Sequence, residues 1–437
     1  MKKSTTSPSG WFYLEPYVYL ETVSEEALLL NTLDRQSIRT TAPELVTLLA
    51  KLRRPASGGV VKVGGRVGAS AVFQSFLREV RAKFMGDWLD LTTYPTKPVQ
   101  PHPFISVMHD ARKRQFAARG SYRDYLHELI IHVDTHCPQS CADCFSVARQ
   151  TEGCTSFPAI SSDRIADVLE KQLPHLSYMP HLYRIHLIAT TCFQTDKGNR
   201  LCELLHDFRE ICRLTIHAAN LPALNETARR FFSSRITVLA DEHTPLPSPD
   251  AESLSYTWMF LIRSADAYRI IRQKLADLPG LTSYCFRPVY TGCNDAFFRE
   301  SVYVNPEELL QNAPDLKEIH RNSLVNSYFF GRLTLTPDGE VRTHLGGQPL
   351  GNLRNHTWEI LIKRACSGKD AAWFRVRGRQ DCCACLYKNL CPPLSVYEEA
   401  TGQSCLCSIA GGKSAEVSAE NTPLAFGSIS KSSAQNG

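Results

Sequence analysis

The sequence predicts an α/β protein in three parts, centred on a parallel sheet that is open or curled into a partial barrel. Two patterns predict it. Between about residues 124 and 289, six short apolar runs alternate with amphipathic helical segments, the rhythm of parallel strands joined by crossover helices. On either side that rhythm stops: before it lies a strand-rich region with glycine-marked turns, and after about residue 328 a hairpin and a cysteine-rich block.

Taken in order, the first ten residues are rich in Ser, Thr, Pro and Gly and read as loose. Trp11–Leu20 and Ala27–Leu33 read as two aromatic and aliphatic strands separated by Ser24-Glu25-Glu26. Leu45, Leu48, Leu49 and Leu52 recur at helical spacing, as do Phe73, Phe76, Leu77, Val80 and Phe84, with Gly58-Gly59 and Gly64-Gly65 between them. These elements predict a small α+β domain over residues 11–105, leaving through the proline-rich stretch Tyr94–Pro103.

The central domain, residues 122–328, takes its strands from Leu129–Val133, Tyr183–Ala189, Leu214–Ile216, Ile236–Leu239, Trp258–Ile262 and Ser283–Val289. Helices between them carry Ile165, Val168, Leu169 and Leu173, then Leu201, Leu204 and Leu205, then Leu224–Phe232, then Tyr268, Ile271 and Leu275. In the third domain, residues 329–410, Leu333–Leu335 and Val341 flank the turn Pro337-Asp338-Gly339 as a hairpin. A helix near Trp358–Ile362 follows, and 411–437 read as a disordered tail.

Composition narrows the function classes. With 49 Lys and Arg against 44 Asp and Glu, the charge of +5 on 437 residues is too dilute for a nucleic-acid footprint. Arg112-Lys113-Arg114 is a short basic run that could attract an acidic peptide but suits a solvated helix face. No apolar run is long enough for a membrane span, and the start has no secretory apolar segment, so a cytoplasmic protein is expected. Sixteen cysteines are too few for a disulfide scaffold of this length. In a reducing compartment, clustered thiols point to metal or cluster ligation.

Cys137, Cys141 and Cys144 form a C-x3-C-x2-C motif in the loop after the first central strand, at the carboxyl edge where parallel sheets build sites. Three thiolates hold three irons of a cubane and leave the fourth open, whereas four would close it. Zinc bound by the same three thiols with His132, His136 or Cys154 is the alternative, as are three unliganded thiols. A second set, Cys382, Cys385, Cys391 and Cys407, could wrap a fully ligated cluster or a structural zinc. Cys383 competes with its neighbour Cys382 for one ligand position, and Cys405 with Cys407.

These motifs resemble the radical S-adenosylmethionine superfamily. FGRLTLTPDGEVRTHLGGQPLGNL followed by C-x2-C-x5-C-P-P resembles the SPASM-type region of radical enzymes that act on ribosomal peptides. More narrowly, WFYLEPYVYL, LLLNTL, TGCNDAFF, PDGEV, PLGNL and CLYKNLCPPLSVYE resemble the peptide-maturase and pseudo-radical-enzyme group of Bacteroidales Gly-Gly precursor-peptide systems. The resemblance implies a partial (β/α)6 barrel, a winged-helix-like leader-peptide domain at 11–105 and a SPASM-like iron–sulfur domain at 329–410. It further implies two 4Fe–4S clusters, S-adenosylmethionine held at Cys137, Cys141 and Cys144, a ribosomal precursor peptide as partner, and a flavodoxin or ferredoxin as electron donor. Its expected function is peptide modification through a 5′-deoxyadenosyl radical; the alternative is a catalytically degenerate peptide-binding partner. Two places depart from the pattern. Thr190-Thr191-Cys192 stands where a Gly-Gly-Glu-like turn belongs, and His344 stands near a position that often carries a cysteine ligand. Cys192 and Cys293, near strand ends, read either as substrate-side groups or as small buried residues.

Overall fold

A computed structural model describes residues 9–98, 121–139, 141, 144–157, 160, 164–248, 251–303, 306–367, 372–377 and 381–401. The rest of the linker, the basic run at Arg112, Cys405, Cys407 and the expected tail lie outside the described residues. The chain divides into two compact units: Met1–Arg119 with Asn305–Val325 and Val376–Pro393, and Gly120–Val304 with Asn326–Arg375 and Leu394–Gly437.

In the first unit, β1 (Gly10–Leu14), β2 (Val18–Val23), β3 (Glu26–Asn31) and β4 (Ser37–Thr40) precede α1 (Pro43–Leu52). β5 (Val60–Val63), α2 (Gly65–Gly68), α3 (Ala71–Ala82) and β6 (Gly86–Asp90) follow. They form two antiparallel sheets, β2-β3-β4 and β5-β1-β6. The expected single strand Trp11–Leu20 is two strands in different sheets. Pro16 cannot donate to a ladder, and the chain turns there, with Val18 N–H bonding the Glu15 carbonyl. Leu45, Leu49 and Leu52 of α1 and Phe73, Phe76 and Val80 of α3 close over Phe12 and Leu29 in one apolar core. Ser70 caps α3 through the Phe73 N–H.

The second unit is a mixed α/β body on a nine-stranded sheet, in the order β12-β11-β10-β9-β8-β7-β13-β14-β15. Its parallel strands are β7 (Glu128–His132), β8 (Arg184–Ala189), β9 (Cys212–His217), β10 (Ile236–Ala240), β11 (Thr257–Ile262) and β12 (Tyr284–Pro288). Their crossovers carry α4 (Cys144–Gln150), α5 (Ile165–Leu176), α6 (Asp196–Leu204), α7 (Glu226–Phe232) and α8 (Ala265–Ala276). β13 (Arg332–Leu335) pairs parallel with β7, and β14 (Glu340–Arg342) and β15 (Pro349–Asn352) continue antiparallel. The hairpin thus extends the central sheet instead of standing apart from it.

Six strands paired in sequence order have a consequence. Right-handed crossovers without a reversal of order place α5 to α8 on one face, while Val147 of α4 packs on Leu261 of the other. On the face that α5 to α8 cover, Leu129, Ile131, Ile185, Leu187, Leu214, Val238 and Phe260 are buried and apolar. The opposite face, by the two-residue period of strands, presents Glu128, Ile130, His132, Arg184, His186, Ile188, Thr215, Leu239, Met259, Arg287 and Arg332.

Candidate functional site

β7 delivers the chain into the cysteine loop. Val133 donates to the Ile188 carbonyl, which carries the ladder one residue past the strand, and Cys144 opens α4. Cys137 is buried, Cys144 half-buried and Cys141 exposed. A fourth thiol, Cys154, meets them. It hydrogen-bonds Cys137, which draws the Cys137 thiol down to about 6, and its own thiol is pushed up by that bond and by burial. Cys154 also lies within electrostatic reach of Cys141 and Cys144. Burial, then the Cys144 and Cys137 thiols, raise Cys141. The Cys144 thiol donates to the Cys154 carbonyl at 3.4 Å, and the Cys137 N–H to Ser156 Oγ at 3.0 Å. Among the described residues, no group of three or more His, Cys, Asp or Glu side chains closes on one point as a single ion requires. The three motif thiols, one of them acidic, are the donor chemistry an iron–sulfur cubane takes.

The turn after β8 is different. Thr190 donates its N–H to Asp134 Oδ2 at 2.7 Å and its hydroxyl to the His136 carbonyl at 2.7 Å, and Thr191 Oγ1 lies 3.3 Å from Asp134 Oδ1. These bonds latch the turn to the cysteine loop. Its β-branched residues, with their groups engaged in this way, do not make the open glycine cradle that a methionine end needs. The three thiols suit a cluster, and a methionine end bound beside it would have to be held by residues other than this turn.

The remaining sequence candidates are placed as follows. Cys192 is buried beside Phe193, and Cys293 is exposed. His344 is half-buried against Phe329, ring centroids 4.9 Å apart. Burial first, then Arg375, Arg149 and Arg342, take it down to about 4.

The described C-terminal cysteines, Cys382, Cys383, Cys385 and Cys391, belong to the first unit. Cys382 is buried, with Arg377 Nη1 3.8 Å from its sulfur, and Cys383 is exposed. The Cys385 N–H bonds the Cys382 carbonyl at 3.0 Å, and Tyr387 donates its N–H to Cys385 Sγ at 3.4 Å. Arg377 Nε clasps the Pro392 carbonyl at 2.5 Å. The turn between Cys385 and Cys391 sits on β2. Glu21, fully buried, receives Arg53 at 2.7 Å and Lys388 at 3.4 Å, and Asn389 bonds Tyr19 Oη at 3.1 Å.

Sequence reasoning missed the charged constellation on the face opposite α5 to α8. Glu152 Oε1 is 2.6 Å from Arg332 Nη1, and its Oε2 is 2.9 Å from His186 Nδ1. His186 Nε2 meets Thr215 Oγ1 at 2.6 Å. Arg332 also pairs with Glu128 at 2.8 Å, which accepts from Tyr183 Oη at 2.7 Å. Burial pushes the Glu152 carboxyl up, but Arg332, His186 and Arg287 outweigh it and hold it well below the usual range. The signal was present. A parallel strand buried on both faces reads as continuously apolar, yet Glu128, His132, Arg184 and His186 break these strands with period two.

Glu152 reaches this network from the connection between α4 and α5. Thr151, Gly153, Cys154, Thr155 and Phe157 of that connection are buried. Cys154 packs on Ile130, Ile188 and Leu239, and Phe157 stands edge-on to His132 at 5.2 Å. Separately, a cavity of about 520 Å³ opens beyond β9 and β10, lined by His217, Leu221, Asp241, Pro245, Pro247 and Trp258.

No protein-family model matches the chain, and no curated protein matches it. Among solved structures, it is similar to Streptococcus suis SuiB, crystallised bound to precursor peptide SuiA. Identity is 10%, the TM-score 0.40, and the match covers 87% of this chain and 94% of that one.

Proposed function

We propose that this chain is a ribosomal-peptide maturation protein of the radical S-adenosylmethionine type, modifying a precursor peptide. In this reading it carries one 4Fe–4S cluster at Cys137, Cys141 and Cys144 and a second at Cys382, Cys385, Cys391 and Cys407. The observation that supports it is that the three motif thiols lie within electrostatic reach of one another just past the first strand of a sequentially ordered parallel sheet. When bound, a cluster held by these three thiols would supply one-electron reducing chemistry at its open iron. The chain's own residues prepare the loop. Cys154 hydrogen-bonds Cys137 and favours its thiolate, and Asp134 and Thr190 pin the backbone ahead of it. Gln150 secures the end of α4 by exchanging two hydrogen bonds with the Tyr290 backbone, at 2.7 and 2.9 Å. Residues 11–105 would capture the leader peptide, 122–328 would form the partial barrel and 329–410 the SPASM-like part. A flavodoxin or ferredoxin in the cytoplasm would deliver the electron.

A second reading, a peptide-binding partner without turnover, is favoured by the Thr190–Asp134 latch. Anaerobic reconstitution separates the two. The enzyme binds about eight irons, shows an electron paramagnetic signal perturbed by S-adenosylmethionine, and forms 5′-deoxyadenosine under strong reductant. The partner binds leader peptide and forms none.

A further inference from the structure

The face of the sheet opposite α5 to α8 carries more charge than packing asks of it. Buried ion pairs return little stability over apolar side chains of similar volume, and the opposite face of the same sheet is apolar throughout its centre. Glu152 is also placed at a conformational cost. Its φ is +50°, left-handed backbone that a glutamate seldom adopts, and such strain collects where a site needs a group held in place. The carboxylate comes from a connecting strap, whereas its partners stand on strands. Arg332 on β13 and His186 on β8 bracket it at 2.6 and 2.9 Å. Arg287 on β12 also acts on it. Among the described residues, Arg287 makes no carboxylate ion pair within 4 Å, and its hydrogen bond goes to the Tyr397 hydroxyl. The pair is still within reach of water: the Glu152 and Arg332 side chains are 24% and 21% exposed.

We propose that Arg332, Arg287 and His186 form a carboxylate-binding pocket, that Glu152 is its built-in occupant, and that its external ligand is an acidic side chain of the peptide this protein handles. The identity of that ligand as a peptide rests on the function proposed above; the pocket does not. Binding exchanges one carboxylate for another without leaving the guanidinium groups unpaired at the end. It requires the strap to withdraw Glu152, so the ligand competes against an intramolecular rival of high effective concentration.

The test uses the full chain and two small probes, N-acetyl-glutamate N-methylamide and its glutamine counterpart. Glu152→Gln keeps the shape of the occupant and removes its charge. It is expected to bind the glutamate probe, followed by titration calorimetry, at least tenfold more tightly than the wild type does, and at least tenfold more tightly than it binds the glutamine probe. Adding Arg332→Met should abolish that gain. If Glu152→Gln binds the glutamate probe no better than the wild type, or binds both probes alike, the pocket is overturned and Glu152 is a structural clamp. Should Glu152→Gln fail to fold by circular dichroism, Glu152→Asp, which draws the carboxylate back by one methylene, takes its place with the same order of probes required. Iron analysis of the same samples keeps the two readings apart. Wild-type protein that takes up no iron defeats the cluster assignment alone, and iron-replete protein without carboxylate binding defeats the pocket alone.

Discussion

Thr190 gives its backbone N–H to the Asp134 carboxylate at 2.7 Å, joining the turn after β8 to the first residues beyond β7. Both residues are buried, at 2% and 8% exposure, so the donor has no water to fall back on. Asp134→Ala should therefore cost about 1–3 kcal/mol, the penalty of a buried donor left unpaired. Urea denaturation measures it; a change within error would mean that the turn finds another acceptor.

The two cysteine sets should lose iron independently. Cys141→Ala is expected to remove about four of about eight irons from reconstituted protein, and Cys385→Ala a different four. Colorimetric iron and sulfide counts on the single and double variants decide this. Stoichiometric zinc in place of iron in either set would reassign that set.

Acid should act through His132. Its ring is buried, and burial first, then His186, take it down to about 3 from an ordinary 6.5. Between these values the unfolded chain holds a proton that the native ring does not, so stability rises with pH across that window. The contribution is complete above 6.5 and is lost as pH falls towards 3, at no more than about 1.4 kcal/mol per pH unit. His132→Leu should flatten the slope of unfolding free energy between pH 6.5 and 4; an unchanged slope would place the acid sensitivity in other groups, His344 first among them.

Glu21 should govern the C-terminal thiol turn from the far end of the sequence. It is fully buried and receives both Arg53 and Lys388. Glu21→Ala leaves cations without their carboxylate and is expected to destabilise this unit by roughly 3–5 kcal/mol. Because Lys388 and Asn389 lie between Cys385 and Cys391, the same variant should release the metal of that set to a chelator faster. Competition with a chromogenic chelator follows this directly, and an unchanged release rate would uncouple the turn from β2.

How much of this was legible in the sequence follows from what each feature depends on. The six parallel strands announced themselves because each is an apolar run between polar turns, and their observed bounds stay within two residues of the expected ones, as with Tyr183–Ala189 against Arg184–Ala189. The break at Pro16 was readable in principle, since a proline inside an apparent strand is a warning. β4, short and with Ile38 as its one apolar residue in Ser37–Thr40, left no pattern to find. The cysteine motif was visible as spacing, but the approach of Cys154 to Cys137 was open only as one choice among several, because nothing local sets where the strap runs. Arg332 and Glu128 meet across 204 residues, and no local pattern connects them; only the period-two charges in the strands hinted that one face is polar.

The outermost strands of the long sheet, β12 and β15, each contain a proline, Pro288 and Pro349. A ladder grows sideways by matching N–H to carbonyl, and a residue with no N–H interrupts the template. On the β15 rim Arg364 also takes the Leu350 carbonyl, so less of the ladder is left open there. A ring amino acid at either margin leaves a neighbouring copy one hydrogen bond fewer with which to stack.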